Sequence, residues 1–478
     1  MKRREFLKAA AIGTSMLVAP EYVRGAQRTG GKKPNIVFVF GDQWRVQATG
    51  YGGDPNLQGK TPHLDKLAAE SINLTNAVST CPVCTPYRAS LLTGQYPLTH
   101  GLFLNDAPLR SEAVTIAELC KKSGYDTAYV GKWHIDGQGR GRYIPKDRRQ
   151  GFDYWKVLEC THSYNNSHYY AGDDPTKRTW DGYDAIAQTR DVQGYIKGRA
   201  GNDKPFVMFL SWGPPHNPYG TAPEKYQKMF NPEDIKLRPN VPSEKEAAAR
   251  IDLAGYYAHI AALDDCIGEL VDTIDKAGIA DNTILVFTSD HGDMLGSQGE
   301  RRKQRPYDEA VRVPLLIRYP AGLGKKGKEI DMPFGSPDIM PTLLALSGIK
   351  IPACVEGTDY SSVLNGSEEA GDDVALIECA WPFGEWLRKN GGKEYRGVRT
   401  RRYTYVRDLD GPWLLYDNQR DPYQQKNLVK TPEARSLIEK LDAKMFAKLR
   451  AHGDDFKHGS EYIKKWHYKV YKNGTMPY

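Results

Sequence analysis

The chain has 478 residues, more than one compact core usually holds, so a large domain accompanied by a smaller one is expected. Hydrophobic residues make up 40% and charged residues 26%, ordinary globular usage that excludes a disordered tail and a membrane-embedded bundle. The net charge of +7 falls to +4 once the three net positive charges of residues 1–26 are set aside, too mild for a nucleic-acid partner. The 29 Tyr against 13 Phe favour rings with a polar edge, which serve both half-exposed packing and sugar-binding faces.

The chain opens on Arg3 and Arg4 in the string RREFLK, followed by a weakly apolar run over residues 9–19 and small residues at Gly25 and Ala26. This pattern predicts a twin-arginine export signal over residues 1–26 and a periplasmic or secreted protein. The run is much shorter than the roughly 20 residues of a spanning helix, so no stable membrane anchor is expected. Residues 35–40 form a β-rich apolar run without polar alternation, as in a strand buried on both faces, and residues 127–130, 206–210, 284–287 and 313–317 repeat it. Helical patterns lie between them at residues 64–71, 89–92, 116–122, 247–276 and 338–346. This alternation predicts an α/β fold, a large mostly parallel sheet sandwiched by helices over residues 27–366. Ligands of such sheets gather at the carboxyl ends of strands. Over residues 367–478 short tyrosine-rich strands at 395–398, 402–406 and 413–416, then a helix at 432–449, predict a smaller C-terminal antiparallel sheet plus helix.

Seven cysteines in an exported chain is an odd count, so at least one thiol is expected to be unpaired, reactive or chemically altered. In CPVCTPYRASLLTG, Cys84 precedes Pro86, Arg88 and a helical pattern whose first turn points N–H groups at an anion. Cys81 and Cys84 also spell C-x-x-C, a redox or zinc spacing, but no second pair or paired-histidine pattern accompanies it. The run C-T-P-Y-R followed by A-S-L-L-T-G closely resembles the C-x-P-x-R signature of the type I, formylglycine-dependent sulfatases of the alkaline-phosphatase-like superfamily. The resemblance implies that a maturing enzyme oxidises Cys84 to formylglycine, an aldehyde whose hydrate supplies a hydroxyl nucleophile. Six cysteines then remain, with no disulfide specified.

Other segments resemble the same family. GDQWR and TSDHGD, each after an expected strand, match its metal-binding strings at Asp42, Gln43, Asp290 and His291. With Cys84 these donors suit a hard divalent cation, Ca²⁺ first, although a histidine where many relatives place Asn also tolerates softer metals. GKWHIDG, SWGPPHNPY and ERRKQRPYDEAVRVP resemble further elements of the family, and the resemblance implies Lys132 and His134 beside sulfate and nucleophile, His216 in the site and a sulfate-binding Lys303. His63 in TPHLDKLA and His100 in TGQYPLTHG read as structural. The resemblance implies that Arg88, Lys132, Lys303 and the metal neutralise the spreading charge, with Asp290 as base towards the nucleophile. His216, helped by Lys303, protonates the leaving alcohol, and His134 takes the proton of the second hydroxyl. The insert ECTHSYNNSHYYAGD reads either as a surface excursion or as the lining of a sugar subsite through His162, Asn165, His168 and Tyr169, with Arg302 nearby. The expected substrate is a sulfated carbohydrate. The alternatives are a phosphonate monoester or phosphodiester hydrolase of the superfamily, and an inactive glycan-binding homologue, against which Cys84, Pro86 and Arg88 argue. The sugar, the sulfate position, exo against endo action and the oligomeric state stay open.

Overall fold

The computed structural model describes residues 32–199, 201–369 and 374–477; the expected export signal lies outside them. Ten strands form the larger sheet: β1 (Asn35–Asp42), β2 (Ile72–Val78), β3 (Asp126–Lys132), β4 (Tyr154–Leu158), β5 (His168–Ala171), β6 (Asp174–Thr179), β7 (Phe206–Pro215), β8 (Thr283–Ser289), β9 (Leu315–Arg318) and β10 (Lys328–Gly335). Their order is β10-β2-β9-β8-β1-β7-β3-β4-β5-β6. The centre, β8-β1-β7-β3-β4, is parallel throughout, with Val37 of β1 opposite Met208 and Leu285. Strand β9 runs antiparallel to both its neighbours and β4-β5-β6 is an antiparallel meander, so the margins make the sheet mixed.

The central strands are largely apolar and buried because both faces are covered. Ile36, Phe38 and Phe40 of β1 enter one core with Leu91, Leu92, Ile116 and Leu343. Val37 and Val39 enter the other, with Leu64, Leu67, Val192 and the 31-residue helix Glu246–Lys276. The helix Asp184–Arg199 and strand β2 carry no clean apolar signal. The helix is largely polar outside a narrow stripe, and β2 buries Asn76, whose Nδ2 donates to the Thr400 carbonyl at 3.1 Å.

The second sheet is antiparallel, β11 (Val374–Cys379), β12 (Tyr395–Thr400), β13 (Tyr403–Asp408) and β14 (Gly411–Asp417). One face packs on the helix Arg435–Ala451 through Leu441, Met445 and Leu449; the other meets Val78 and Val311 of the first layer. Among the described residues no helix is long and apolar enough to cross a membrane. The carboxyl ends of β1, β3, β7 and β8 lie side by side, and every charged side chain discussed next leaves one of them or faces it from a loop or helix end.

Candidate active site

Cys84 stands at the first position of the helix Cys84–Thr93, five residues before the apolar pattern begins, because Pro86 is tolerated in a first helical turn. The whole helix is buried. Lys303 Nζ donates to Cys84 Sγ at 2.9 Å, His291 Nε2 lies at 3.2 Å and Asp42 Oδ1 at 3.5 Å. Burial and the Asp42 charge oppose ionisation of the thiol. Lys132, Lys303 and His291 outweigh them and hold it well below its ordinary range.

One turn along, Arg88 does not line the cleft. Its guanidinium sits beneath the carboxylates, donating to Asp42 Oδ2 and Asp290 Oδ2 at 3.2 Å each and to the Lys132 carbonyl and Ser211 Oγ at 2.7 Å each. Arg88 therefore braces the two carboxylates from beneath the cleft. Lys132 Nζ also donates to Asp42 Oδ2, at 2.6 Å.

The ligand atoms of Asp42, Cys84, Asp290 and His291 all lie within 4.8 Å of one another, in full burial. Three further observations fit this set to a divalent cation. Gln43 Nε2 donates to Asp293 Oδ2 at 2.5 Å, which leaves Gln43 Oε1 buried without a hydrogen-bond partner. His291 Nδ1 must carry its proton, because it donates to the Gly292 carbonyl at 2.9 Å, so the Nε2 lone pair faces the carboxylates. Burial and the charge of Asp42 push Asp290 up to about 6, as expected of two carboxylates held side by side. Gly292 makes the turn possible, since a Cβ there would lie 2.0 Å from the Glu309 carbonyl oxygen.

Above this cluster opens a cleft of about 320 Å³, lined by Cys84, Lys132, His134, His216 and Lys303 among others. His134 follows β3 with φ of +60°, fixed by Thr85 Oγ1, which donates to its carbonyl at 2.7 Å. Its Nε2 meets Asp106 Oδ1 at 3.1 Å, and Asp106 is clamped by Arg140 through two bonds of 2.9 and 2.8 Å. Burial disfavours the imidazolium, but Cys160 and the bond to Asp106 outweigh it and raise His134 well above its usual range. His216 differs. Its Nδ1 donates to the Asn217 carbonyl at 2.9 Å, and burial together with Lys303, whose Nζ is 3.3 Å from Nε2, pushes the imidazole well below its usual range. Lys303 thus carries the proton and His216 Nε2 accepts the bond.

Of the residues read as sugar contacts, His162 and Arg302 line the cleft, and His162 stacks on His216 with centroids 4.6 Å apart. Asn165, His168 and Tyr169 do not line it. Asn165 Nδ2 donates to the Thr221 carbonyl at 2.9 Å, the His168 ring meets Tyr170 edge-on, and Tyr169 stacks on Trp180 at 3.9 Å. The insert alternates along the β5 hairpin, and its aromatic faces are used in packing. His100 is structural, bonded to Ser90 Oγ at 3.0 Å and to the Leu102 N–H at 3.1 Å. The exposed His63 donates its backbone N–H to Asp264. None of the seven cysteines forms a disulfide.

Sequence reading passed over Asp106, Arg140 and Asp293. Asp293 ends the string that supplied Asp290 and His291, and the spacing D-H-G-D was the available signal. It binds Gln43, Tyr219 Oη at 2.5 Å and the Arg302 N–H at 2.9 Å. Asp106 and Arg140 sit in irregular loops with no periodicity to mark them.

The sulfatase family model matches residues 34–349, and the C-terminal model of N-sulphoglucosamine sulphohydrolase matches residues 296–451. An ulvan-active sulfatase of Formosa agariphila is 47% identical over 98% of this chain and 92% of its own length. An endo-4-O-sulfatase of Bacteroides thetaiotaomicron is 31% identical over 87% of this chain and 92% of its own. A solved Bacteroides thetaiotaomicron structure, from work on the metabolism of multiple glycosaminoglycans, aligns with a TM-score of 0.79 and 30% identity over 91% of this chain and 99% of that one.

Proposed function

The chain belongs to the sulfatase family and is a sulfuric ester hydrolase, and we propose that it desulfates a carbohydrate polymer or its oligosaccharides with Cys84 matured to formylglycine. The observation that carries the reading is the convergence of two ammonium groups, Lys132 and Lys303, and two imidazoles, His134 and His216, around Cys84 at the floor of one cleft. The similarity to an ulvan-active sulfatase makes ulvan oligosaccharides the first substrates to try. The arginine pair at residues 3 and 4 supports twin-arginine export to the periplasm or beyond, where such polymers are met.

Asp42, Gln43, Asp290 and His291 would hold the cation, Ca²⁺ on the strength of its three oxygen donors; when bound it supplies positive charge to the ester and acidity to the nucleophile. Formylglycine at residue 84 would supply, as its hydrate, the hydroxyl that attacks sulfur. The chain's own groups do the rest. Lys132 and Lys303 bind the anionic oxygens of the ester and neutralise charge as it spreads. Lys303 Nζ and His216 Nε2 share one proton at 3.3 Å and deliver it to the leaving alcohol. His134 is oriented by Asp106 through Nε2 and lines the cleft with Cys84; its buried Nδ1, which has no hydrogen-bond partner, is the atom that in the neutral ring takes up the proton that must leave before sulfate does.

The two histidines therefore part company on substrate choice. A sugar hydroxyl needs a proton to leave and a nitrophenolate does not. His216→Ala should lose about 10²- to 10⁴-fold on a sugar sulfate and far less on an aryl sulfate. His134→Ala should instead release a burst of alcohol followed by a slow steady state with either ester. Stopped-flow traces on both substrates check this; equal losses without a burst, in variants that melt like wild type, would refute the assignment. The activity itself is tested by a screen of defined sulfated oligosaccharides beside a phosphonate monoester. Faster turnover of the phosphonate would overturn the proposal.

A further inference from the structure

Two arginines flank the cleft, and their counter-ions separate them. Arg140 is locked by two bonds to Asp106, a carboxylate with 2% of its side chain exposed that also holds His134. Arg302 is pre-oriented by other means. Its φ of +67°, beside +74° at Gln304, is a conformation that non-glycine residues adopt only where surroundings impose it. Its backbone N–H donates to Asp293 Oδ1 at 2.9 Å, one guanidinium N–H donates to Tyr219 Oη at 2.9 Å, and the group lies 5.3 Å from the centre of that ring. The ion-pair partner of Arg302 is Glu385 at 3.5 Å, a carboxylate with 63% of its side chain exposed in the turn Gly384–Trp386. Both residues line the cleft, and Arg302 is adjacent in sequence to Lys303, whose Nζ meets Cys84.

A guanidinium fixed at its backbone, one nitrogen and one face, with a stretched and exposed counter-ion, is prepared for exchange. Little conformational freedom remains to be lost on binding, and an exposed pair offers weak competition. The planar fork suits a carboxylate or a sulfate. We infer that Arg302 anchors a second anion subsite, which takes a carboxylate or a second sulfate on the sugar bearing the ester or on the next one, with Glu385 displaced. The inference rests on the sulfatase reading and narrows the substrate class to doubly anionic sugars.

The test compares three synthetic esters with the matured full-length enzyme: a neutral-sugar monosulfate, a monosulfated saccharide carrying a uronate carboxylate, and a neutral sugar carrying two sulfates. Arg302→Gln is expected to lower kcat/KM about 10- to 100-fold more on one or both doubly anionic esters than on the neutral monosulfate, chiefly through KM. Arg302→Lys should recover part of the loss. Glu385→Gln, at an exposed position, should lower KM for the same esters about two- to fivefold, an improvement that a merely structural role would not give. Loss confined to the uronate names a carboxylate as the ligand, and loss confined to the disulfate names sulfate. Uniform losses across the three esters, or a raised KM in Glu385→Gln, would overturn the subsite. Should Arg302→Gln fail to fold by thermal melt, Glu385→Gln alone decides. A wild-type enzyme that hydrolyses none of the three refutes the sulfatase reading and the subsite with it, whereas wild-type turnover with uniform variants refutes the subsite alone.

Discussion

Cys84→Ala is expected to cost about 10⁴-fold or more in turnover, the scale on which loss of a nucleophile acts in hydrolases, while leaving the fold intact. The asymmetry follows from the surroundings of the side chain. Cys84 forms no disulfide, and its neighbours Lys303, His291 and Asp42 keep partners without it, since Lys303 also reaches His216 and Asp42 also binds Lys132 and Arg88. With residue 84 matured to an uncharged aldehyde, its replacement strands no buried charge, and melting temperature should move little relative to the matured protein. Cys84→Ser should still bind substrate, because the cations that meet the ester are elsewhere, but turn over as little as the alanine variant. That makes it the useful form for trapping a complex. Peptide mass analysis supplies the complementary measurement: the active preparation should carry an aldehyde at residue 84, and protein expressed without a maturing enzyme should be folded, thiol-bearing and inactive. Full activity with an intact thiol at residue 84 would refute the nucleophile assignment.

Much of this site was legible because its parts follow strands that read clearly. Strands β1, β3, β7 and β8 are buried on both faces, so each carries an apolar run, and Asp42, Lys132, His216 and Asp290, at or just past the strand ends, announce themselves by following that run. Topology then brings four separate strand ends together. Where a side chain points was less legible. Arg88 read as one of the cations that neutralise the spreading charge, and on a fully buried helix its guanidinium faces Asp42 and Asp290. Tyr169 read as a sugar platform because aromatic rings beside polar residues suit one, yet Trp180 already covers its ring. Asp106 and Arg140 come from irregular loops and Glu385 from a short turn far along the chain, and only the folded backbone brings them together around one cleft. The sheet margins followed the same rule. The polar meander β5–β6 and the asparagine-bearing β2 lack the apolar run that marks the centre.

Asp42→Asn should be nearly as damaging as loss of Cys84, for a different reason and with a different signature. Asp42 is fully buried and accepts from Lys132 at 2.6 Å and Arg88 at 3.2 Å, while its Oδ1 lies 3.5 Å from Cys84 Sγ and 3.6 Å from His291 Nε2. Burial alone would raise its pKa, but Lys132 and Lys303 hold it well below the usual carboxylate range, so it is an anion at any working pH. The amide keeps the shape and removes the charge. Two cations then lose their shared counter-ion, and breaking a buried pair in this way costs about 3–5 kcal/mol. Relief of the repulsion between Asp42 and Asp290 offsets part of that cost in the metal-free protein. It offsets none of it in the loaded enzyme, where the cation needs both carboxylates. Activity should therefore fall by about 10³-fold or more, because the charge that stabilises the ester in reaction is lost together with its ligand. Chelation separates this from a simple folding defect. Ligand linkage contributes about 2.7 kcal/mol when free Ca²⁺ is a hundred times its dissociation constant, so EDTA should lower the wild-type melting temperature by several degrees and Ca²⁺ should restore it. The melting temperature of Asp42→Asn should respond to neither, and elemental analysis should find about one equivalent of cation in wild type and far less in the variant. Gln43→Ala, which removes the orphaned Oε1 acceptor together with the Nε2 bond to Asp293, should fall between the two. A wild-type enzyme whose rate survives exhaustive chelation, together with an active Asp42→Asn, would remove the cation from the mechanism and leave Asp42 as a counter-ion for Lys132 and Arg88.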